Sequence, residues 1–225
     1  MAVRTESRRE LRTSMSRERV LSAAVRLADD AGIEALTMRK LAKELGVEAM
    51  TLYYYVPNKD EILKGIVDLV VSEIESPATG PDWKSALRRT AVSGHHVLLR
   101  HEWAASLMLS GGASEPRMRY MEGLLGCLRQ AGFSAEMTHH AYHALESHIM
   151  GFTLWLIGMA LEAEKLPDLA ASFLRDLPRD RFPYLAEHIG THLVPPTEYT
   201  GSEFEFGLDL ILDGLERTLN AGVHE

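Results

Sequence analysis

The sequence has a single cysteine, Cys127, among its 225 residues. One cysteine excludes an internal disulfide framework and favours a reducing compartment. The longest apolar run, residues 152–161, is only about half as long as a membrane-spanning helix requires. The first residues also lack the apolar core of a secretory signal. These absences predict a cytoplasmic protein without a membrane partner.

Motifs that carry enzyme chemistry are also missing. The chain has no Gly-x-Ser-x-Gly turn, no glycine-rich phosphate loop and no recognisable pair of catalytic carboxylates. Cys127 lies beside Leu124, Leu125 and Leu128, where burial would raise the pKa of its thiol and keep it inert. We therefore predict that the protein is not an enzyme and holds no cofactor.

Alternating β-branched runs long enough for a strand are absent, and apolar residues recur at helical spacing instead. This pattern predicts an all-α fold. The proline-rich segment 167–196 leaves room only for short helices. Longer or better-defined helices are predicted over about 17–31, 37–45, 48–55, 58–70, 82–101, 103–109, 114–132, 134–164 and 202–219.

The net charge of −8 is unevenly distributed along the chain. Residues 1–59 hold 11 Lys/Arg and 8 Asp/Glu, whereas the remaining 166 residues hold 13 and 24. A mildly basic head on an acidic body suits a protein that binds DNA at one end, because phosphate attraction is local. Four arginines in residues 1–15 indicate a flexible basic arm, although a tail without a role remains the alternative.

Residues 36–59 have the features of a helix-turn-helix. Leu41 and Ala42 pack the first helix inward, and Ala42 is small enough for the second helix to approach closely. Gly46 supplies the turn, where a positive φ costs little. Val47 and Leu52 bury one side of the second helix. The opposite side is then exposed and fits a DNA major groove, with lysines and arginines around it as phosphate neutralisers.

Residues 17–66 resemble the DNA-binding head of TetR-family regulators. The resemblance is carried by Gly46-Val47, by the run Thr-Leu-Tyr-Tyr-Tyr-Val over 51–56, and by Asn58-Lys59. Related repressors often place a polar base reader where this chain has Ala49 and Met50, which offer only apolar contact, for example to a thymine methyl. The DNA contacts that the resemblance implies are Thr37, Arg39, Ala49, Met50, Thr51, Tyr53, Tyr55 and Lys59.

The resemblance also implies a division of the chain. We predict a flexible basic arm (1–15), a three-helix helix-turn-helix DNA-binding domain (16–62) and a larger helical ligand-binding and dimerisation domain (63–225). In the last of these, Trp83, the turn at 132–134 and the stretch 144–151 are similar to the tetracycline-repressor branch.

That branch presents drug-contacting Asn, Phe and His where this chain has Thr90, Gly94 and Met108, and only His148 is retained. A magnesium–tetracycline chelate is therefore not expected. A body rich in methionine and aromatic residues suits an apolar effector with one hydrogen-bonding group. Core packing remains the alternative for most of these side chains. The predicted effector contacts are Thr90, Gly94, Met108, Met121, Leu125, His148, Phe152 and Trp155.

Ten histidines raise the question of a metal site. His139 and His143 lie one helical turn apart and could share a metal, but no acidic or cysteine partner completes a tetrahedral set. Solvent exposure of His139 and His140, and a cavity-lining or dimer-facing role for His143 and His148, are the preferred interpretations.

Together these features predict a homodimeric, ligand-responsive regulator, most simply a repressor that a small apolar effector releases from a palindromic operator in double-stranded DNA. The dimer would form a four-helix bundle from segments 134–164 and 202–219, with Leu208, Ile211 and Leu215 at the interface. The alternative is a helical ligand-binding or metal-dependent enzyme that uses the helix-turn-helix only as scaffold. Binding of the purified protein to its own promoter region distinguishes the two.

Overall fold

The structure is a computed structural model that describes residues 15–78, 80, 82–110, 112–160, 166–192 and 202–222. Within those ranges the chain is helical and contains no strand, which confirms the predicted all-α class. The helices are α1 (Arg17–Ala31), α2 (Met38–Glu44), α3 (Ala49–Leu52), α4 (Lys59–Ser72), α5 (Trp83–Arg100), α6 (Glu102–Ser110), α7 (Glu115–Gln130), α8 (Ala135–Ala160), α9 (Leu166–Asp176), α10 (Pro183–His192) and α11 (Ser202–Gly222), with a 3₁₀ turn at Ile33–Ala35. None of the described helices combines the length and apolar character that crossing a bilayer requires. The predicted arm lies almost wholly outside the described residues.

Three helices of the head begin at side chains that satisfy their first free backbone N–H groups. The Ser16 hydroxyl accepts from the Arg19 N–H at 3.1 Å, and the Thr37 hydroxyl accepts from the Lys40 N–H at 3.2 Å. The Asn58 amide oxygen accepts from the Glu61 N–H at 2.9 Å. These contacts confirm the predicted starts of α1, α2 and α4.

Gly46 makes the turn between α2 and α3 with φ +67°. Its N–H donates to the Lys43 carbonyl at 3.2 Å, and the Val47 N–H donates to the Ala42 carbonyl at 2.9 Å. This pair of hydrogen bonds is a Schellman motif, which requires a left-handed residue at the glycine position. The predicted role of Gly46 is confirmed.

Helix α3 is shorter than predicted, because it ends at Leu52 rather than near Tyr55. The N–H groups of Tyr55 and Val56 both donate to the Leu52 carbonyl at 2.9 Å, so the chain tightens into a turn. Pro57 follows directly and prevents the helix from continuing.

Helix α4 connects the head to the helices that follow, and it packs against both α1 and α7. A Cβ at Gly65 would lie 2.7 Å from both terminal carbons of Leu21, so the glycine permits the close approach of α1. Ser114 occupies the cap position of α7, where serine often bonds a free backbone N–H, but its side chain makes no capping bond. Its hydroxyl instead donates to the Asp68 carboxylate at 2.6 Å, which ties the start of α7 to α4.

The described residues form two compact units, one up to Tyr142 and one from His143 onward. The first unit contains α1 to α7 and the beginning of α8. In it Trp83 meets Phe133 edge to face, with ring centroids 5.2 Å apart. Burial raises the pKa of the Cys127 thiol, as expected for an inert cysteine.

The second unit contains the rest of α8 together with α9, α10 and α11. Its core includes Leu145, Ile149 and Phe204, with Leu208 and Leu212 fully buried. The prediction that Leu208 and Leu215 face a partner chain is wrong, because both side chains are already buried within this chain. Residues 161–164, to which α8 was predicted to extend, lie outside the described residues.

Candidate DNA-binding surface and effector site

The outer face of α3 and the turn after it are apolar, aromatic and open to solvent. Leu52 is fully buried and anchors the helix, whereas Met50 is 71% exposed, Tyr53 46% and Tyr54 85%. Ala49 and Thr51 are half-buried at the edges of this face. Exposed large apolar groups on a short helix after a tight turn have the shape and chemistry that a major groove accepts.

Tyr54 is the residue that sequence reasoning undervalued. Tyr53 and Tyr55 were predicted to contact DNA, but Tyr55 is half-buried and Tyr54 is the most exposed of the three. The signal was present in the sequence, since three consecutive tyrosines cannot all point into the core of a small head. The early end of α3 decides which of them points outward.

Cationic side chains on α2 and α4 are open to solvent, since Arg39, Lys43 and Lys59 are all exposed. Lys59 is the first residue of α4, directly after the Asn58 cap. Thr37 is exposed as well, and because its oxygen accepts from Lys40, its own hydroxyl proton remains for a phosphate oxygen. The residues predicted to neutralise phosphates are therefore all exposed to solvent.

Replacement of Lys59 with alanine should weaken binding to all duplexes about equally, because a phosphate contact carries no sequence information. The slope of log affinity against log salt should fall by about one unit for each head. Titrations of the wild type and the variant between low and moderate salt measure this slope. An unchanged slope would remove Lys59 from the phosphate contacts.

The predicted effector residues of the first unit lie on α5, α6 and α7. Thr90 and Gly94 are buried one turn apart on α5, and the Thr90 hydroxyl has no hydrogen-bond partner among the described residues. Met108 and Leu125 are half-buried, whereas Met121 is exposed. A buried hydroxyl without a partner is unfavourable, so Thr90 is the most informative member of this set.

In the second unit His148 is the centre of an aromatic cluster. Its Nε2 lies 2.9 Å from the Phe204 carbonyl oxygen, which can only accept, so Nε2 is the donor. The imidazole stacks on the Phe204 ring at 4.8 Å and lies 5.8 Å from the Phe152 ring. A Cβ at Gly207 would approach the ring to 2.6 Å, so the glycine makes room for it. Trp155, by contrast, is exposed.

Two clefts in the first unit are polar and lie away from the predicted effector residues. One of about 390 Å³ lies between the end of α4 and α5, lined by Glu73, Arg89 and His96 among others. The other, of about 340 Å³, separates the end of α1 from the start of α6. None of the eight predicted effector contacts lines either cleft.

The histidines considered as possible metal ligands differ in exposure and form no cluster of three among the described residues. His139, His140 and His143 are exposed, and His95 is buried while its neighbour His96 is exposed. Within the described part of the chain, no three His, Cys, Asp or Glu side chains lie close enough to share a metal ion.

Comparison with known proteins gives these surfaces a context. Residues 20–66 match the family described as bacterial regulatory proteins, tetR family, and residues 76–219 match the tetracyclin repressor-like C-terminal domain. The HTH-type transcriptional repressor DrrR1 of Streptomyces coeruleorubidus is 33% identical over 90% of this chain and 78% of its own length. The class D tetracycline repressor protein of Escherichia coli is 32% identical over 92% of each chain.

A solved structure agrees with the sequence relatives. The TetR family protein ActR of Streptomyces coelicolor, in complex with actinorhodin, superposes with a TM-score of 0.76 at 26% identity, over 91% of this chain and 98% of its own. One family description covers the head and the other covers most of the remaining chain. The chain therefore belongs to the tetR family of bacterial regulatory proteins, and it is a transcriptional regulator rather than an enzyme.

Proposed function

We propose that this chain is a homodimeric repressor that binds a palindromic operator and is released from it by a small, largely apolar effector. Regulators of this family bind DNA operators and small-molecule effectors and act as dimers. The observation that carries the proposal is the exposed apolar and aromatic face of α3, together with exposed cations on α2 and α4. A protein that regulates bacterial genes in this way works in the cytoplasm.

Operator recognition divides between positioning and base contacts. Arg39, Lys43 and Lys59 neutralise phosphates and set the register of the head on the duplex. Met50 and Tyr54 then contact thymine methyl groups and other apolar base edges in the major groove. Two heads related by a two-fold axis meet two inverted half-sites, so the operator is a palindrome.

Candidate polar groups for effector binding are assigned in each unit separately. The relatives DrrR1 and the class D protein are both named as repressors, which supports release rather than activation as the response. Within the first unit, the Thr90 hydroxyl offers one polar contact beside the small Gly94. Within the second unit, the Nε2–H of His148 is committed to Phe204, so its Nδ1 can accept from a donor on the effector. Burial of apolar surface supplies most of the affinity, at about 25 cal/mol per Å².

Replacement of Thr90 with valine should raise the free energy of unfolding by about 1 kcal/mol, because it removes a buried hydroxyl that has no partner. Thr138 is a matched control, since its buried hydroxyl is also unpaired but lies in the first turns of α8. Both valine variants should therefore stabilise the free protein in denaturant titrations. An effector that forms a hydrogen bond with Thr90 should stabilise the Thr138→Val variant as much as the wild type. It should stabilise the Thr90→Val variant less.

A gel-mobility assay with the DNA upstream of the protein's own gene tests the proposed function. We expect the purified protein to retard this fragment and a compound identified by thermal shift from a library of small apolar molecules to reverse the retardation. Failure to retard any upstream fragment at about 0.1 M salt, where charge attraction is only partly screened, would argue against repression of its own gene. Retardation that no stabilising compound reverses would argue against effector control.

A further inference from the structure

Asp29 on the last turn of α1 receives two hydrogen bonds from distant parts of the chain. Its Oδ1 accepts from His101 Nδ1 at 2.8 Å and from Trp103 Nε1 at 2.7 Å. A carboxylate carries no hydrogen, so the imidazole and the indole are the donors. Hydrogen bonds to an ionised acceptor are stronger than those between neutral groups. These bonds join the first helix of the head to the junction between α5 and α6.

The same junction is bonded to the end of α4. Glu73, which follows α4 directly, accepts from Arg100 Nη2 at 2.7 Å through its Oε2. His101 Nε2 lies 3.4 Å from that oxygen. The imidazole therefore lies between Asp29 and Glu73. The α5–α6 junction contacts both α1 and the end of α4.

This polar link borders a cleft, and its two donors are buried, with His101 and Trp103 each 8% exposed. Ala28, Asp29 and Gly32 form one wall of the cleft of about 340 Å³, and Leu99, Glu102 and Trp103 line the other side. The bonds to Asp29 bridge the two walls of the cleft and help to hold the last turn of α1 at this junction. Loss of the carboxylate should therefore free the end of α1 without opening a core.

We propose that Asp29 is a positioning residue for operator binding: its carboxylate fixes α1, and with it the DNA-binding head, to the α5–α6 junction. The inference rests on the proposed function. Two heads reach two half-sites together only when each has a fixed orientation on its own body. Non-specific binding needs only phosphate attraction and tolerates a mobile head.

The test replaces Asp29 with alanine and uses Asp30→Ala as the matched control. Asp30 is the next residue on the same helix and is exposed, so both variants lose one negative charge at neighbouring positions. The probes are a duplex selected by the wild-type protein and a scrambled duplex of equal length and composition. We expect Asp29→Ala to bind the selected duplex at least tenfold more weakly than Asp30→Ala does. Both variants should bind the scrambled duplex with the same affinity.

Equal affinity of the two variants for the selected duplex would overturn the proposal. A parallel loss on both duplexes would also overturn it, because a general folding defect lowers specific and non-specific binding together. Loss of head positioning instead changes the ratio of specific to non-specific affinity.

Hydrogen exchange tests the link without DNA and so separates this proposal from the proposed function. If the wild type selects no duplex, the proposed function fails, and exchange at residues 17–31 still decides the role of Asp29. We expect at least fivefold faster exchange at the end of α1 in Asp29→Ala and in Trp103→Phe, which removes only the indole donor and some ring volume. Wild-type protection in both variants would contradict the link.

Discussion

Replacing Gly46 with valine should reduce operator binding to the non-specific level while the body stays folded. Gly46 has φ +67°, and no atom lies within 4 Å of a Cβ built there. The cost therefore comes from the backbone and not from a clash. A left-handed conformation costs an L-residue about 1–2 kcal/mol, and a β-branched residue is a genuine outlier there. The chain should relax by changing the turn, which misdirects α3.

Gly46→Asn is the matched control, because asparagine visits the left-handed region and also ends helices in this way. We expect it to keep specific affinity within about tenfold of the wild type. Affinities for selected and scrambled duplexes, together with helical circular dichroism, measure both variants. Normal operator binding by Gly46→Val would show that α3 does not depend on this turn.

Glutamate at both Phe206 and Leu210 should convert the dimer to a folded monomer. Phe206 is 67% exposed and Leu210 56%, and they lie four residues apart on one side of α11. Large exposed apolar groups in one stripe mark an association surface. Charges placed there would be buried without partners on dimerisation. Sedimentation should show the monomer, and operator affinity should fall because the two heads are no longer linked.

The other side of the same helix provides the control. Leu208 and Leu212 are fully buried within the chain, so Leu208→Glu should cost about 3–5 kcal/mol of stability and unfold the second unit. Circular dichroism distinguishes the two variants, because only the variant with glutamate at Phe206 and Leu210 should lose the dimer and keep its helices. An intact dimer with both Phe206 and Leu210 replaced would place the interface on another surface.

The head could be predicted from the sequence because its determinants are local. Ser16, Thr37 and Asn58 each cap a helix within three residues, and Gly46 makes its turn with hydrogen bonds that span at most five. Such signals depend on residue type and spacing alone. The exposure of Met50, Tyr53 and Tyr54 followed from the same pattern, although Tyr54 was not among the predicted DNA contacts.

Contacts between distant residues could not be predicted. Asp29 falls on the polar side of α1 by periodicity, and nothing near it indicates partners 72 and 74 residues away. Ser114 matches the pattern of a helix cap, but its hydroxyl donates to the Asp68 carboxylate and its oxygen accepts from no backbone N–H at the start of α7. In both cases tertiary structure decides where a polar side chain bonds.

The last helix shows the limit of periodicity. Its apolar residues form one stripe through Phe204, Leu208 and Leu212 and another through Phe206 and Leu210. The sequence predicted an amphipathic helix. It did not determine which stripe packs within the chain and which stays exposed. The resemblance also indicated His148. Its bond to the Phe204 carbonyl requires a residue without a side chain at Gly207, 59 positions further along the chain.

Selection of duplexes from a random library by the wild-type protein tests the central claim most directly. The account predicts enrichment of one sequence with two inverted half-sites, their centres about one turn of the duplex apart, bound by two chains. It also predicts that Lys59→Ala enriches the same sequence with lower affinity, because a phosphate contact does not specify bases. Recovery of DNA with no common sequence, bound no more tightly than unselected duplexes at about 0.1 M salt, would contradict the account.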